Sequence, residues 1–147
     1  YRVSPWRSVL RTKEARTQDA EQIAKAQELV EFVGLGDVMN DPTSTISSAQ
    51  QRLLMIATAM AADPKLILLD EPAAGMVAKE RKELAEVIMR IRNKGLAVLV
   101  IEHHMGLIME VCDRIVVLNF GEKIAEGRPE EIQRNAAVIE AYLGGVH

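Results

Sequence analysis

Two adjacent carboxylates, Asp70 and Glu71, close the apolar run Leu66-Ile67-Leu68-Leu69 and are followed by Pro72. Acid at the exit of a buried strand suits a metal-bound phosphate. One carboxylate holds Mg²⁺ through water, and the other orients or deprotonates an attacking water. Two acids in an ordinary loop beside a proline would look the same, so the pair alone leaves both readings open. A second cluster, Glu102-His103-His104, closes the apolar run at residues 96–101. A histidine there could donate to a phosphate; it could equally cap a helix or pack. Zinc is disfavoured, because adjacent histidines point apart and no further ligand stands at metal-site spacing.

Ser47 and Gln50 form the third pair. Their spacing is that of a capping box, in which each side chain satisfies the other residue's backbone N–H. The same helix N-terminus presents unpaired N–H groups and positive potential, which suit a phosphate. Both can hold at once. Cys112 falls in a helical pattern and reads as a small core residue rather than a nucleophile. It is the only cysteine, which excludes an internal disulfide and fits a reducing compartment.

The elements that must position these residues follow from hydrophobic period and breakers. A helix is expected over 18–33 with Ile23, Ala26, Val30 and Val33 on one face, ended by Gly34 and Gly36. Asn40-Asp41-Pro42 signals a loop. A second helix runs from Ser47 to about Ala62, with Leu53, Ile56, Ala57 and Met60 at helical spacing. A third, at about 79–93, carries Leu84, Val87, Ile88 and Ile91. Runs at 66–69, 96–101 and 115–118 are continuous apolar stretches between breakers, which suits strands buried on both faces. A short helix carrying Leu107, Ile108 and Val111 separates the last two. Asn119-Phe120-Gly121-Glu122 reads as a hairpin turn into a strand at 123–126. Pro129 with Glu130 and Glu131 opens a helix, and a last helix holds Val138, Ile139, Tyr142 and Leu143 before Gly144-Gly145. Apolar runs alternating with helices imply an α/β fold, a parallel sheet flanked by helices, whose ligands bind beyond the carboxyl ends of the strands.

The chain of 147 residues has the length of one domain. Its net charge of −3 argues against a nucleic-acid partner held by phosphate neutralisation. That charge is uneven. Residues 1–16 hold Arg2, Arg7, Arg11, Lys13 and Arg16 against Glu14, a net of +4, so the remainder carries −7. Val3, Trp6, Val9 and Leu10 among those bases make a short basic amphipathic stretch, either a solvated first turn or a surface for a membrane protein or acidic headgroups. The longest apolar run falls far short of the roughly 20 residues of a membrane span. No stretch of the sequence reads as a signal peptide, and a start at Tyr1 suggests a piece of something longer.

In order and spacing these pieces resemble the ATP-binding subunits of ABC transporters. Ile46-Ser47-Ser48-Ala49-Gln50-Gln51-Arg52 is similar to the signature motif. Asp63-Pro64-Lys65 through Asp70-Glu71-Pro72-Ala73-Ala74-Gly75 is similar to Walker B running into the D-loop, and Val100-Ile101-Glu102-His103 to the switch histidine. Glu71-Pro72-Ala73-Ala74-Gly75-Met76 and Val138-Ile139-Glu140-Ala141-Tyr142-Leu143-Gly144 look most like the branched-chain amino-acid importer group. The resemblance covers nearly the whole chain. It implies part of a P-loop NTPase core with an N-terminal helical segment: residues 1–62 as helical subdomain remnant and signature helix, residues 63–147 as the C-terminal part of the α/β core. It implies ATP and Mg²⁺ as cofactors. Asp70 would hold Mg²⁺ through water, Glu71 would polarise the attacking water, and His103 would contact the γ-phosphate. Ser47 and Gln50 would cap the nucleotide of a second ATP-binding subunit. Transmembrane permease subunits would be the other partners, met in part by the basic stretch, at the inner face of the cell membrane in the cytoplasm.

Several family features are missing. No G-x-x-x-x-G-K-[ST] occurs, so the phosphate-cradling Walker A loop and its Lys are absent; the adenine-stacking aromatic and the glutamine loop would also lie upstream of Tyr1. ATP binding by this chain alone is therefore expected to be weak or nil, and the chain inactive as an ATPase. The family usually has Gly where Ala49 stands and often where Ser48 stands, Asp or Asn at Val77, and Asp at His104. All three departures fall where nucleotide would be sandwiched. They favour a competing reading, a standalone interaction module that keeps the fold with a degenerate site. The resemblance also places the Walker A strand between the strands at 96–101 and 115–118. Without it, direct pairing of those two strands, or self-association that fills the slot, is expected because buried unpaired edges are costly.

Overall fold

The computed structural model describes residues 13–143, with side chains from residue 17 to residue 142. The side chains of the basic stretch and the closing Gly144-Gly145 lie outside the described residues. The chain divides into two compact units, Tyr1–Ile67 and Leu68–His147.

In the first unit, helix α1 (Lys13–Phe32) leads through a 3-10 turn (Gly36–Val38) to helix α2 (Ser48–Met60). Gly34, at φ 84°, lets the chain leave α1 in a left-handed conformation that a side chain would resist. Among the described side chains of α1 only Leu29 is buried, followed by Val33 just past the helix, while Ile23 and Ala26 are exposed. The stripe expected along the whole helix thus holds only at its C-terminal part. Helix α2 is the helix that α1 packs against. Helix α2 buries Leu53, Ile56, Ala57 and Met60 as its spacing predicts, and Ala49 as well.

Strand β1 (Leu66–Asp70) straddles the division. The second unit continues with α3 (Ala78–Asn93), β2 (Ala97–Ile101), α4 (Met105–Val111), β3 (Ile115–Asn119), β4 (Glu122–Gly127), α5 (Pro129–Gln133) and α6 (Ala136–Leu143). Strands β1 and β2 pair. The Glu71 N–H donates to the Ile101 carbonyl at 2.9 Å, where both strands end, so they run parallel with α3 as the crossover. Strands β3 and β4 form an antiparallel hairpin, with an irregularity between Val117 and Leu118. Phe120 and Gly121 both take positive φ, 47° and 83°, as a two-residue type I′ turn requires. The amphipathic α3 buries Leu84, Val87, Ile88 and Ile91 as read from the sequence, plus Ala85. Ile108, Ile115, Val117, Ile132 and Val138 form a core cluster of the second unit.

Two sequence expectations are corrected here. The strands are not buried on both faces. Leu66, Leu68, Leu99, Ile101, Val116 and Leu118 are each about half exposed or more, at 50% to 58%. An apolar run reports which faces a strand is suited to bury; the burial realised depends on what lies over each face. Direct pairing of the second and third strands also fails: β2 pairs with β1, and β3 with β4, in separate sheets. β4 takes one edge of β3, and no strand among the described residues pairs with its other edge.

Candidate functional site

Asp70 is the last residue of β1 and is exposed. Glu71 follows in the left-handed region, at φ 44°, a conformation uncommon for a side-chain-bearing residue. Its backbone is held there from both sides. The N–H bonds to Ile101, and the carbonyl accepts from the Ala74 N–H at 3.2 Å. The turn continues with Met76 N–H donating to the Ala73 carbonyl and with Gly75 at φ 74°. The Arg81 guanidinium donates to the Met76 carbonyl at 2.5 Å, tying the loop's far end to α3.

At the exit of β2 the period-two alternation continues past the strand. Val98 and Val100 are half-buried, Leu99 and Ile101 exposed, so Glu102 turns inward and His103 outward. The Glu102 side chain is only 1% exposed. One oxygen, Oε1, accepts from the Ala73 N–H at 3.0 Å; the other, Oε2, accepts from the His103 N–H at 2.8 Å and the His104 N–H at 3.0 Å. Burial alone would raise the pKa of this carboxyl. The backbone donors of His104, Ala73 and His103, with the His103 charge, outweigh it and hold the group below its ordinary value.

His103 stands between two carboxylates. Its Nδ1 is 3.7 Å from Glu71 Oε1 and 3.7 Å from Glu102 Oε2. The ring is 70% exposed and the Glu71 side chain 60%, so both face solvent beyond the strand ends. Glu71 and His103, singled out from the sequence, are thus brought together in the second unit, with Asp70 beside Glu71 in the chain. Sequence reasoning assigned no role to Glu102. The alternation along β2 was the signal that could have found it, because it aims a carboxylate inward.

Ser47 and Gln50 lie in the first unit. They form the capping box that their spacing predicts: the Gln50 N–H donates to Ser47 Oγ at 3.2 Å, and the Ser47 N–H to Gln50 Oε1 at 2.8 Å. Val77, which has no polar group, is the N-cap of α3. The cap falls instead to Glu80, which accepts from the Val77 N–H at 2.9 Å. Among the described residues no group of three or more His, Cys, Asp or Glu could hold a metal ion. The Cys112 thiol is half-buried and its pKa is raised, by burial first and by Asp113 second, which keeps it a poor nucleophile. Among the described residues no helix is long and apolar enough to cross a membrane.

The family model described as "ABC transporter" matches residues 2–74, and the one described as "Branched-chain amino acid ATP-binding cassette transporter" matches residues 122–147. The high-affinity branched-chain amino acid transport ATP-binding protein LivG of Salmonella typhimurium is 43% identical over 137 residues, covering 92% of this chain and 54% of LivG. BraF of Pseudomonas aeruginosa, which carries the same description, is 40% identical over the same length and shares. A nucleotide-free ATP-binding cassette from an ABC transporter superposes with a TM-score of 0.76 at 29% identity, over 95% of this chain and 56% of that one. The chain therefore spans about half the length of the curated relatives it matches.

Proposed function

Because the chain belongs to the ATP-binding subunits of ABC transporters, in the branched-chain amino-acid importer group, we propose that it supplies the signature helix, Walker B acids and switch histidine of a subunit that powers amino-acid import by ATP hydrolysis. The observation that carries this reading is the meeting of Glu71 and His103 beyond the carboxyl ends of two parallel strands.

The residues present fit the roles. Asp70 is an exposed hard-oxygen donor where a phosphate-bound Mg²⁺ is held through water. That ion, when bound, neutralises charge on the transferring phosphoryl group. Glu71 orients the attacking water and takes its proton on a carboxylate oxygen. Its backbone, fixed by Ile101 and Ala74, sets where that side chain leaves the chain. His103 presents its ring beside Glu71 and donates to the γ-phosphate. Ser47 and Gln50, already locked to each other, set the N-terminus of α2 toward the nucleotide of a second ATP-binding subunit. Residues 1–62 act as the helical part that meets transmembrane permease subunits at the cytoplasmic face, and residues 63–147 as part of the α/β core.

The sequence carries no phosphate-cradling loop, so this chain by itself binds ATP weakly or not at all and does not turn it over. Its exposed apolar strand faces drive self-association in isolation. A second reading, an interaction module with a degenerate site, is favoured by one observation: at Val77, where the family carries a polar cap, the side chain makes no capping bond. Calorimetric titration with Mg-ATP tests the proposal. Weak or absent heat is expected for the chain alone; tight, stoichiometric binding would overturn it.

A further inference from the structure

A carboxylate taken out of water is costly unless donors repay it, and an apolar residue of similar size would be cheaper for stability alone. Glu102 is such a carboxylate, and its three N–H donors come from two separate segments. Oε1 reaches across 29 positions of sequence to Ala73, two residues after Glu71. Oε2 holds the backbone of His103 itself and of the next residue. We propose that Glu102 is a positioning residue whose side chain clamps the loop carrying Glu71 to the turn carrying His103, so that the two groups keep one relative placement. The inference rests on the roles given to Glu71 and His103 above.

The chemistry of the clamp requires a carboxylate. Two oxygens with about four lone-pair sites accept three donors in two directions. An amide has one accepting oxygen, so glutamine can serve one segment and must aim a donor at the other's N–H. Aspartate keeps both oxygens but is shorter by one methylene and cannot span both segments; its short reach favours the neighbouring His103 and His104. Glu71, at φ 44°, sits in a backbone conformation that needs such support from its surroundings.

The test uses the 147-residue chain and no nucleotide, so its outcome is separate from that of the Mg-ATP titration. Amide hydrogen exchange is followed at Ala73, His103 and His104 in the wild type, Glu102→Gln and Glu102→Asp, with circular dichroism to establish folding. Exchange at Ala73 is expected to accelerate about tenfold or more in Glu102→Gln. In Glu102→Asp, Ala73 accelerates while His103 and His104 stay protected; this variant decides the matter if Glu102→Gln does not fold. The signature beyond plain structure is the His103 ring resonance. Glu71→Gln is expected to shift it in the wild-type background and to leave it unmoved when Glu102 is Gln or Asp. Wild-type protection at Ala73 in both variants, or a full response of the ring to Glu71→Gln in either, overturns the proposal.

Discussion

His103 Nδ1 stands 3.7 Å from Glu71 Oε1, across the exits of two adjacent parallel strands. The residues are 32 positions apart in sequence, and the βαβ crossover through α3 is what brings them together. The Glu71–Ile101 backbone bond then fixes the register at which they meet.

Ser47 caps α2 with its side-chain oxygen, and the bond is one half of a reciprocal pair. Ser47→Ala is expected to cost about 1 kcal/mol of stability, the usual worth of such a cap. Gln50→Ala removes the other half, and the double variant should cost less than the sum, because each single change already breaks the box. Urea unfolding of the four proteins measures this.

Glu102 has a folded-state pKa below its unfolded value. Its contribution is therefore complete above the unfolded pKa of about 4.3 and is lost as pH falls through the folded value. Glu102→Gln is expected to destabilise by about 1–3 kcal/mol at neutral pH, from one buried donor left badly paired. The gap between wild type and variant should stay constant at neutral pH and narrow as pH falls below about 4.3, the unfolded carboxyl's pKa. Denaturant unfolding across an acid pH series checks both the size and the direction.

Phe120 is fully exposed and holds φ 47° in the β3–β4 turn. A left-handed backbone costs an ordinary residue on the order of 1–2 kcal/mol, and asparagine tolerates it better. Phe120→Asn, which makes the turn Asn-Gly, is expected to stabilise the hairpin by about 1 kcal/mol with no change at Glu71 or His103. Thermal unfolding by circular dichroism reads the gain.

The exposed strand faces bear on association. Leu99 is 50% exposed on β2, and Val116 is 51% exposed on β3. Leu99→Lys and Val116→Lys are expected to shift the isolated chain toward monomer in sedimentation velocity while changing its unfolding free energy little. Equal association of wild type and both variants would place the contact elsewhere.

Much of this was legible from the sequence because it is local. The capping box at Ser47, the hairpin turn at Phe120-Gly121 and the buried stripe of α3 each depend on residues a few positions apart. The motif order singles out Asp70, Glu71 and His103, and the structure brings Glu71 and His103 within 3.7 Å of each other. Tertiary facts were harder to read. Ile23 and Ala26 belong to a helical stripe that packing covers only at its C-terminal end. The apolar runs of β1, β2 and β3 showed strands fit to be buried on both faces, but could not show that one face of each stays exposed. Nothing local distinguishes Glu102 from any other acid beside a histidine. Its burial depends on Ala73, 29 positions away, and only the fold supplies that donor.

The most direct test of the account is phosphate release from Mg-ATP by the 147-residue chain, measured beside Glu71→Gln. The sequence holds the acids and the histidine but no phosphate-cradling loop, so neither protein should release phosphate above the buffer rate. Turnover by the wild type that Glu71→Gln abolishes would contradict this, and would mean that the chain carries a complete hydrolytic site by itself.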